Sequence, residues 1–258
     1  MRIHGLARSF LTACLLLGSS AQAETLSIRA DEWYPLNTQP GSAQPGFMIE
    51  VAQALLAPHG ISVDYQLMAW DEAIATVREG AADCVVGALP SDVEGFFLPQ
   101  RPWVLSEQSL YARVDRQINY GGLDSLKYLR MAVIAGYSYG ETLDAYINAH
   151  RRQRDRIYLV PESARASREM ITRLLVGHAD VMLETSVVMD ATLQRDGLSK
   201  NIRKLAPAVP GAAKETLYIA CSPVGERGGR FVRLFDEGMP DLERSGRLAE
   251  LKDRYGIE

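Results

Sequence analysis

The sequence predicts an α/β protein of two lobes, each a mostly parallel sheet flanked by helices, joined by two chain crossings. Three observations carry that prediction. First, Glu72-x-Ile74 followed by Gly80-x-Ala82-Asp83 recurs at a constant offset as Glu169-x-Ile171 followed by Gly177-x-Ala179-Asp180. Second, each copy lies in the same order of elements, strand, helix, strand, helix, strand, which predicts parallel strands because each helix carries the chain back to the starting edge of its sheet. Third, the chain has 258 residues, enough for two such units with a real core.

In the first unit, apolar runs place strands at 26–30, 61–67 and 83–89, with one helix over 46–57. A second helix carries Trp70, Ala73, Ile74 and Val77 on one face. The second unit has strands at 130–135, 156–160 and 180–183, a helix over 141–150, and the echoed helix. Gly80 and Gly177 suit the left-handed position that ends a helix without a Cβ penalty. Short extended runs at 109–114 and 216–221 are the expected crossings, and the chain ends in helices that hold Phe231, Leu234, Phe235, Leu248 and Leu251. The expected division is 24–109 for lobe 1, 110–218 for lobe 2, and 219–258 for the rest of lobe 1. Ligands of open α/β sheets bind beyond the carboxyl ends of the strands. The loops 31–35 and 136–140 are therefore expected to line a cleft between the lobes.

The first 23 residues read as a signal peptide. Arg2 and Arg8 form a basic start, 10–18 is an apolar run, and Ala21-Gln22-Ala23 is a small-x-small cleavage site. The run is too short to anchor in a bilayer, and no later stretch reaches the roughly 18 apolar residues that a span requires. A periplasmic, soluble protein beginning at Glu24 is expected. Leu11-Thr12-Ala13-Cys14 resembles a lipoprotein box, but the apolar run continues past it, so lipidation is not expected. Loss of Arg2 and Arg8 leaves 26 basic against 32 acidic side chains, a net charge of −6, which argues against a nucleic-acid partner. The cluster Arg151, Arg152, Arg154 and Arg156 reads as a solvated helix end. Cys84 and Cys221 lie inside apolar runs and read as buried free thiols, with a disulfide as the alternative. His59, His150 and His178 lack ligand spacing, so neither metal nor cofactor is expected. The protein is expected to be a monomer.

Several pieces in order resemble a known family. They are Asp31-x-Trp33-Tyr34-Pro35 after a strand, Gly46-Phe47 opening a helix that ends at Gly60, and Trp70 ahead of Val77-x-x-Gly80-x-x-Asp83. Gly136-Tyr137-Ser138, Gly177-x-x-Asp180 and a tail from Leu242-x-x-x-Gly246-x-Leu248 to Tyr255-Gly256 follow. Together they resemble the family 3 solute-binding proteins, the extracytoplasmic receptors of amino-acid-type ABC importers. The resemblance covers nearly all of the mature chain and implies the type II periplasmic binding fold, with hinges near 109–112 and 216–219 and an inner-membrane permease as partner.

Carried over position by position, the resemblance makes Asp31 a pocket carboxylate, Trp33 or Tyr34 an aromatic wall, and Trp70 a ligand cover or a core residue. Ala88, Pro90, Glu94, Tyr137, Ser138, Glu184 and Thr185 complete the candidate ligand-binding set. Ser138 reads either as a contact at a helix N-terminus for an anionic or carbonyl oxygen, or as a plain helix cap. The family's carboxylate-clamping arginine is missing, because Pro90-Ser91-Asp92-Val93-Glu94-Gly95 occupies its segment; Arg101, in Pro99-Gln100-Arg101-Pro102, could replace it if its loop turns inward. The family's ammonium-binding aspartate falls on Thr185. Standard α-amino acids are therefore not expected as main ligands, and the remaining acids and aromatics suit a cation or a largely neutral ring.

Three other functions compete with an import receptor. Gly136-x-Ser138-x-Gly140 fits a hydrolase nucleophile elbow, but the last histidine, His178, is far from the C-terminus where that fold places its base. Periplasmic dehydratases share the binding-protein fold but place an acid where this chain has Val188; an enzyme here would have to use Glu184 or Glu94 as general acid. A ligand sensor docked on a membrane signalling partner would carry the same cleft.

Overall fold

The computed structural model describes residues 24–257. The expected signal peptide, its cleavage site and the box at Cys14 lie outside the described residues. Two five-stranded sheets form, with order β2-β1-β3-β10-β4 in one and β7-β6-β8-β5-β9 in the other. The first contains β1 (Thr25–Ala30), β2 (Ser62–Leu67), β3 (Cys84–Ala88), β4 (Val104–Ser106) and β10 (Glu215–Cys221). The second contains β5 (Gln108–Arg113), β6 (Met131–Ile134), β7 (Ile157–Val160), β8 (Val181–Thr185) and β9 (Ile202–Pro207). In each sheet four strands run one way and one is reversed: β10 is antiparallel to both neighbours in the first, and β5 to both of its own in the second. The reversed strand is the one by which the chain enters that sheet from the other. It therefore starts at the edge where its neighbours end.

The chain passes between sheets at Glu107 and again over 208–214. The segments anticipated as hinges, 109–112 and 216–219, thus lie within β5 and β10. Between the strands run α1 (Phe47–Leu56), α2 (Trp70–Arg78), α3 (Glu141–His150), α4 (Ala166–Leu175), α5 (Ser186–Arg195), α6 (Arg227–Arg244) and α7 (Arg247–Tyr255). Three of these elements were not anticipated, β4, α5 and β9. β4 has only three residues, α5 has a weakly amphipathic sequence, and β9 is an edge strand whose pattern mixes apolar with half-exposed residues.

Both sheets are covered on both faces. Ile28, Cys84, Val86 and Ile219 pack toward Phe47, Phe231 and Phe235 on one face of the first sheet, while Val85, Ala88 and Ala220 pack toward Ala73 and Val77 of α2 on the other. Two further clusters sandwich the second sheet.

The sequence echo has a structural cause. Asp83 Oδ2 accepts from the Ser27 backbone N–H at 2.8 Å, tying the start of β3 to β1. Asp180 Oδ2 accepts from the Arg130 N–H at 3.0 Å, tying β8 to β6. Gly80 and Gly177, at φ 77° and 80°, turn the chain out of each helix toward that aspartate. Cys84 and Cys221, read above as free thiols, instead form a disulfide. They sit opposite each other on paired strands β3 and β10, a juxtaposition of residues 137 apart in sequence that only the sheet topology creates.

Among the described residues, no helix is long and apolar enough to cross a membrane.

Candidate functional site

The carboxyl ends of β1, β3, β6 and β8 face one another across the lobes, as do the starts of the reversed strands β5 and β10. A narrow cavity of about 30 Å³ lies there, lined by Asp31, Trp33, Trp70, Gly87, Asp92, Gln108, Tyr137, Ser138, Tyr139, Glu184, Thr185 and three apolar side chains. In this closed state it has room for no more than about two water molecules.

Of the candidates read from sequence, Asp31, Trp33, Trp70, Tyr137, Ser138, Glu184 and Thr185 meet in this cavity. Trp70 serves both readings, since it lines the cavity and belongs to the α2 core cluster. Four candidates lie elsewhere. The Tyr34 ring is under the Arg195 guanidinium, 4.1 Å from its centroid, in a separate groove behind the cleft. The Ala88 side chain packs into the core beneath α2. Pro90 is exposed at the start of a 3-10 turn. Glu94 is exposed, and its carbonyl accepts from Arg78 at 3.1 Å. Glu94 therefore offers no acid to the cleft. Arg101 does not replace the missing clamp, because it pairs with Glu243 on the outer surface of lobe 1.

Gly87 explains why Ala88 turns away. Its φ of 84° falls where β10 shifts register, with Tyr218 opposite Ala88 and Ile219 opposite Val86. This bulge reverses the alternation of side chains along β3. An added Cβ would lie 3.0 Å from the Trp33 ring, so glycine lets the indole lie against the strand.

Sequence reasoning missed Asp92, Gln108 and Tyr139. Asp92 was legible as the nearest acid after β3, since its carboxylate folds back to accept from the Leu89 N–H. Gln108 carried no signal, because the first residue of a crossing strand has no distinguishing pattern.

The electrostatics are one-sided. Asp31, Asp92 and Glu184 line the cavity, and no lysine or arginine does. Burial pushes the Asp31 carboxyl up to about 8, Glu184 to about 7 and Asp92 to about 6. Glu215, held by Gln108, is pushed up to about 7 by the same cause. Glu184 is well bonded within the protein. It accepts from Trp33 Nε1 at 3.3 Å, from the Thr185 N–H at 2.8 Å and from Ser167 Oγ at 2.9 Å. Its bond to Trp33 spans the lobes.

The loop 136–140 does not offer an anion site. Ser138 Oγ donates to Asp144 Oδ2 at 2.7 Å, and the Tyr139 N–H to Asp144 Oδ1 at 2.8 Å. A carboxylate of α3 already takes the donors that an anionic ligand would need. The serine's acceptor is a carboxylate and not an imidazole, which is not the arrangement of a nucleophile elbow.

Further contacts hold the lobes closed. The Glu32 N–H donates to the Ala164 carbonyl at 2.9 Å, and its buried carboxylate pairs with Arg168 at 2.7 Å. Ser91 and Ser138 hydroxyls are 3.3 Å apart, and the Asp71 N–H donates to Glu162.

Two facing α/β lobes closed over an enclosed cleft define a binding protein of the clamp type. The family model for bacterial extracellular solute-binding proteins, family 3, matches residues 27–258, and the chain belongs to that family. No curated protein matches the chain significantly. Among solved structures, a histidine kinase sensor domain with similarity to periplasmic binding proteins is 18% identical, with TM-score 0.72 over 90% of this chain and 95% of its own. The substrate-binding protein of an amino acid ABC transporter is 17% identical, with TM-score 0.70 over 90% and 98%. An ancestral amino-acid-binding protein, precursor of cyclohexadienyl dehydratase, is 17% identical, with TM-score 0.69 over 90% and 95%. The shared fold is the type II periplasmic binding fold.

Proposed function

We propose that the protein is an exported receptor that captures a small organic cation between its lobes and presents it to an ABC permease in the inner membrane. The observation that carries this reading is a closed cleft with three carboxylates and no basic side chain. Closing the empty cleft forces those acids to take up protons or to bear uncompensated buried charge, at a cost of several kcal/mol. A cation between the lobes removes that cost only when the cleft is shut, which is the differential affinity that ligand-driven closure requires. Trp33, Trp70 and Tyr137 add aromatic faces, and a desolvated cation over such a face gains about 2 kcal/mol. An α-amino acid is disfavoured because its carboxylate would face acids without a partner.

The test is calorimetry on protein refolded free of ligand, against the twenty amino acids, polyamines, betaines and aromatic amines. Micromolar binding is expected among the cations. Micromolar binding of a neutral or acidic amino acid overturns the reading.

A further inference from the structure

The cleft's free hydrogen-bonding atoms narrow the ligand beyond its charge. Asp31 and Gln108 are both more than nine-tenths buried, both line the cavity, and each has a side-chain oxygen without a partner, Asp31 Oδ2 and Gln108 Oε1. The orientation of the Gln108 amide is fixed by its other end. Nε2 donates to Thr185 Oγ1 at 3.0 Å and to Glu215 Oε2 at 2.9 Å, which uses both of its N–H groups and leaves Oε1 as an acceptor only. A carboxylate and an amide oxygen, approaching from opposite lobes, therefore both lack a donor. The Tyr137 hydroxyl is also buried and unpartnered, and it can turn to accept a third.

We infer that the ligand's charged group is an ammonium that carries N–H bonds, with Asp31 Oδ2 and Gln108 Oε1 as its acceptors. This rests on the cation reading above and deepens it. A quaternary ammonium satisfies the charge of Asp31 and the aromatic faces, but it has no hydrogen to give. Bound in this cleft it would leave the Gln108 oxygen buried and unsatisfied, which closure penalises. Gln108 is thus a specificity-determining residue, and its effect is felt at closure because it lies at the first crossing between sheets.

The experiment is a methylation series on the native, ligand-free protein. The probes are 2-phenylethylamine and its N-methyl, N,N-dimethyl and N,N,N-trimethyl derivatives, with matching series built on butylamine and putrescine, measured by calorimetry. Within any series that binds, the primary amine is expected to bind at least about tenfold tighter than the trimethylated member, since hydrogen bonds to charged groups are worth that much or more. Gln108→Met is expected to reduce the ratio of primary to trimethylated affinity to below about threefold, whereas Asp31→Asn weakens every member. A trimethylated member equal to or tighter than its primary amine overturns the inference and leaves the cation reading standing. Binding of neutral or anionic solutes alone, or no binding in any series, overturns the cation reading and this inference with it. If Gln108→Met does not fold, the series on the native protein still decides.

Discussion

At the scale of single residues, the site depends on two features that no side-chain inventory displays. One is Gly87, whose left-handed backbone and missing Cβ let Trp33 lie against β3. Gly87→Ala has to strain the backbone and displace the indole, which also breaks the Trp33–Glu184 bond across the lobes. The expected result is a loss of ligand affinity of at least tenfold, roughly 1.4 kcal/mol, with the protein still folded; calorimetry with the best cation probe measures it. The other feature is the burial of Asp31. Burial pushes its carboxyl from the ordinary 3.8 up to about 8, so between those values the native state holds a proton that the unfolded chain releases. This group's contribution to stability is therefore largest below about pH 4, falls as pH rises toward 8, and is constant beyond. Asp31→Asn removes that dependence. The variant should match the native protein near pH 4 and exceed it by an amount on the order of several kcal/mol at pH 8, read from urea unfolding at both pH values. For the same reason, a cation that needs ionised Asp31 should bind more tightly as pH rises from 6 to 8.

At the scale of elements, the repeated Gly-x-x-Asp is a device for building the sheet. Each aspartate accepts a backbone N–H at the start of the neighbouring strand and also pairs with an arginine, Asp83 with Arg227 and Asp180 with Arg116. Asp83→Ala and Asp180→Ala each leave a strand N–H without its acceptor. Each should destabilise its lobe by about 1–3 kcal/mol, seen in denaturant midpoints, without altering the ligand affinity of the folded protein. A large change in affinity with unchanged stability would instead place these aspartates in the binding site. Most of these elements were legible because their sequences agree locally with their state: α2 has an apolar face, both lobes' first strands are apolar runs, and glycine ends each echoed helix. β4 and β9 were not, since short strands at or near a sheet edge are defined by the partner they join.

At the scale of the whole molecule, the lobes are held shut by bonds that a ligand-free receptor must be able to release. Glu32 is a buried member of this set, and it faces Arg168 and, at 3.6 Å, Arg165. Glu32→Gln keeps the shape but removes the charge, so the balance should move toward the open form. Small-angle scattering should give the unliganded variant a larger radius of gyration than the native protein, with saturating cation restoring the compact profile. Ligand affinity should fall by about the factor by which the closed population falls. Identical profiles for variant and native protein would mean that Glu32 does not set the balance.

The sequence by itself determined the two doubled α/β units, the order of their helices and strands, and the aromatic and acidic character of the loops that end β1 and β6. Those properties follow from local periodicity and glycine placement, which act over a few residues. Only the tertiary structure decided which candidates share the cleft. Tyr34, beside Trp33 in sequence, turns behind the cleft, and Ala88, beside Gly87, turns into the core. Gln108 is drawn into the cleft, and Cys84 meets Cys221. Each of these outcomes depends on strand register, on a bulge or on a crossing, which bring together residues far apart in the chain and leave no local pattern in either segment.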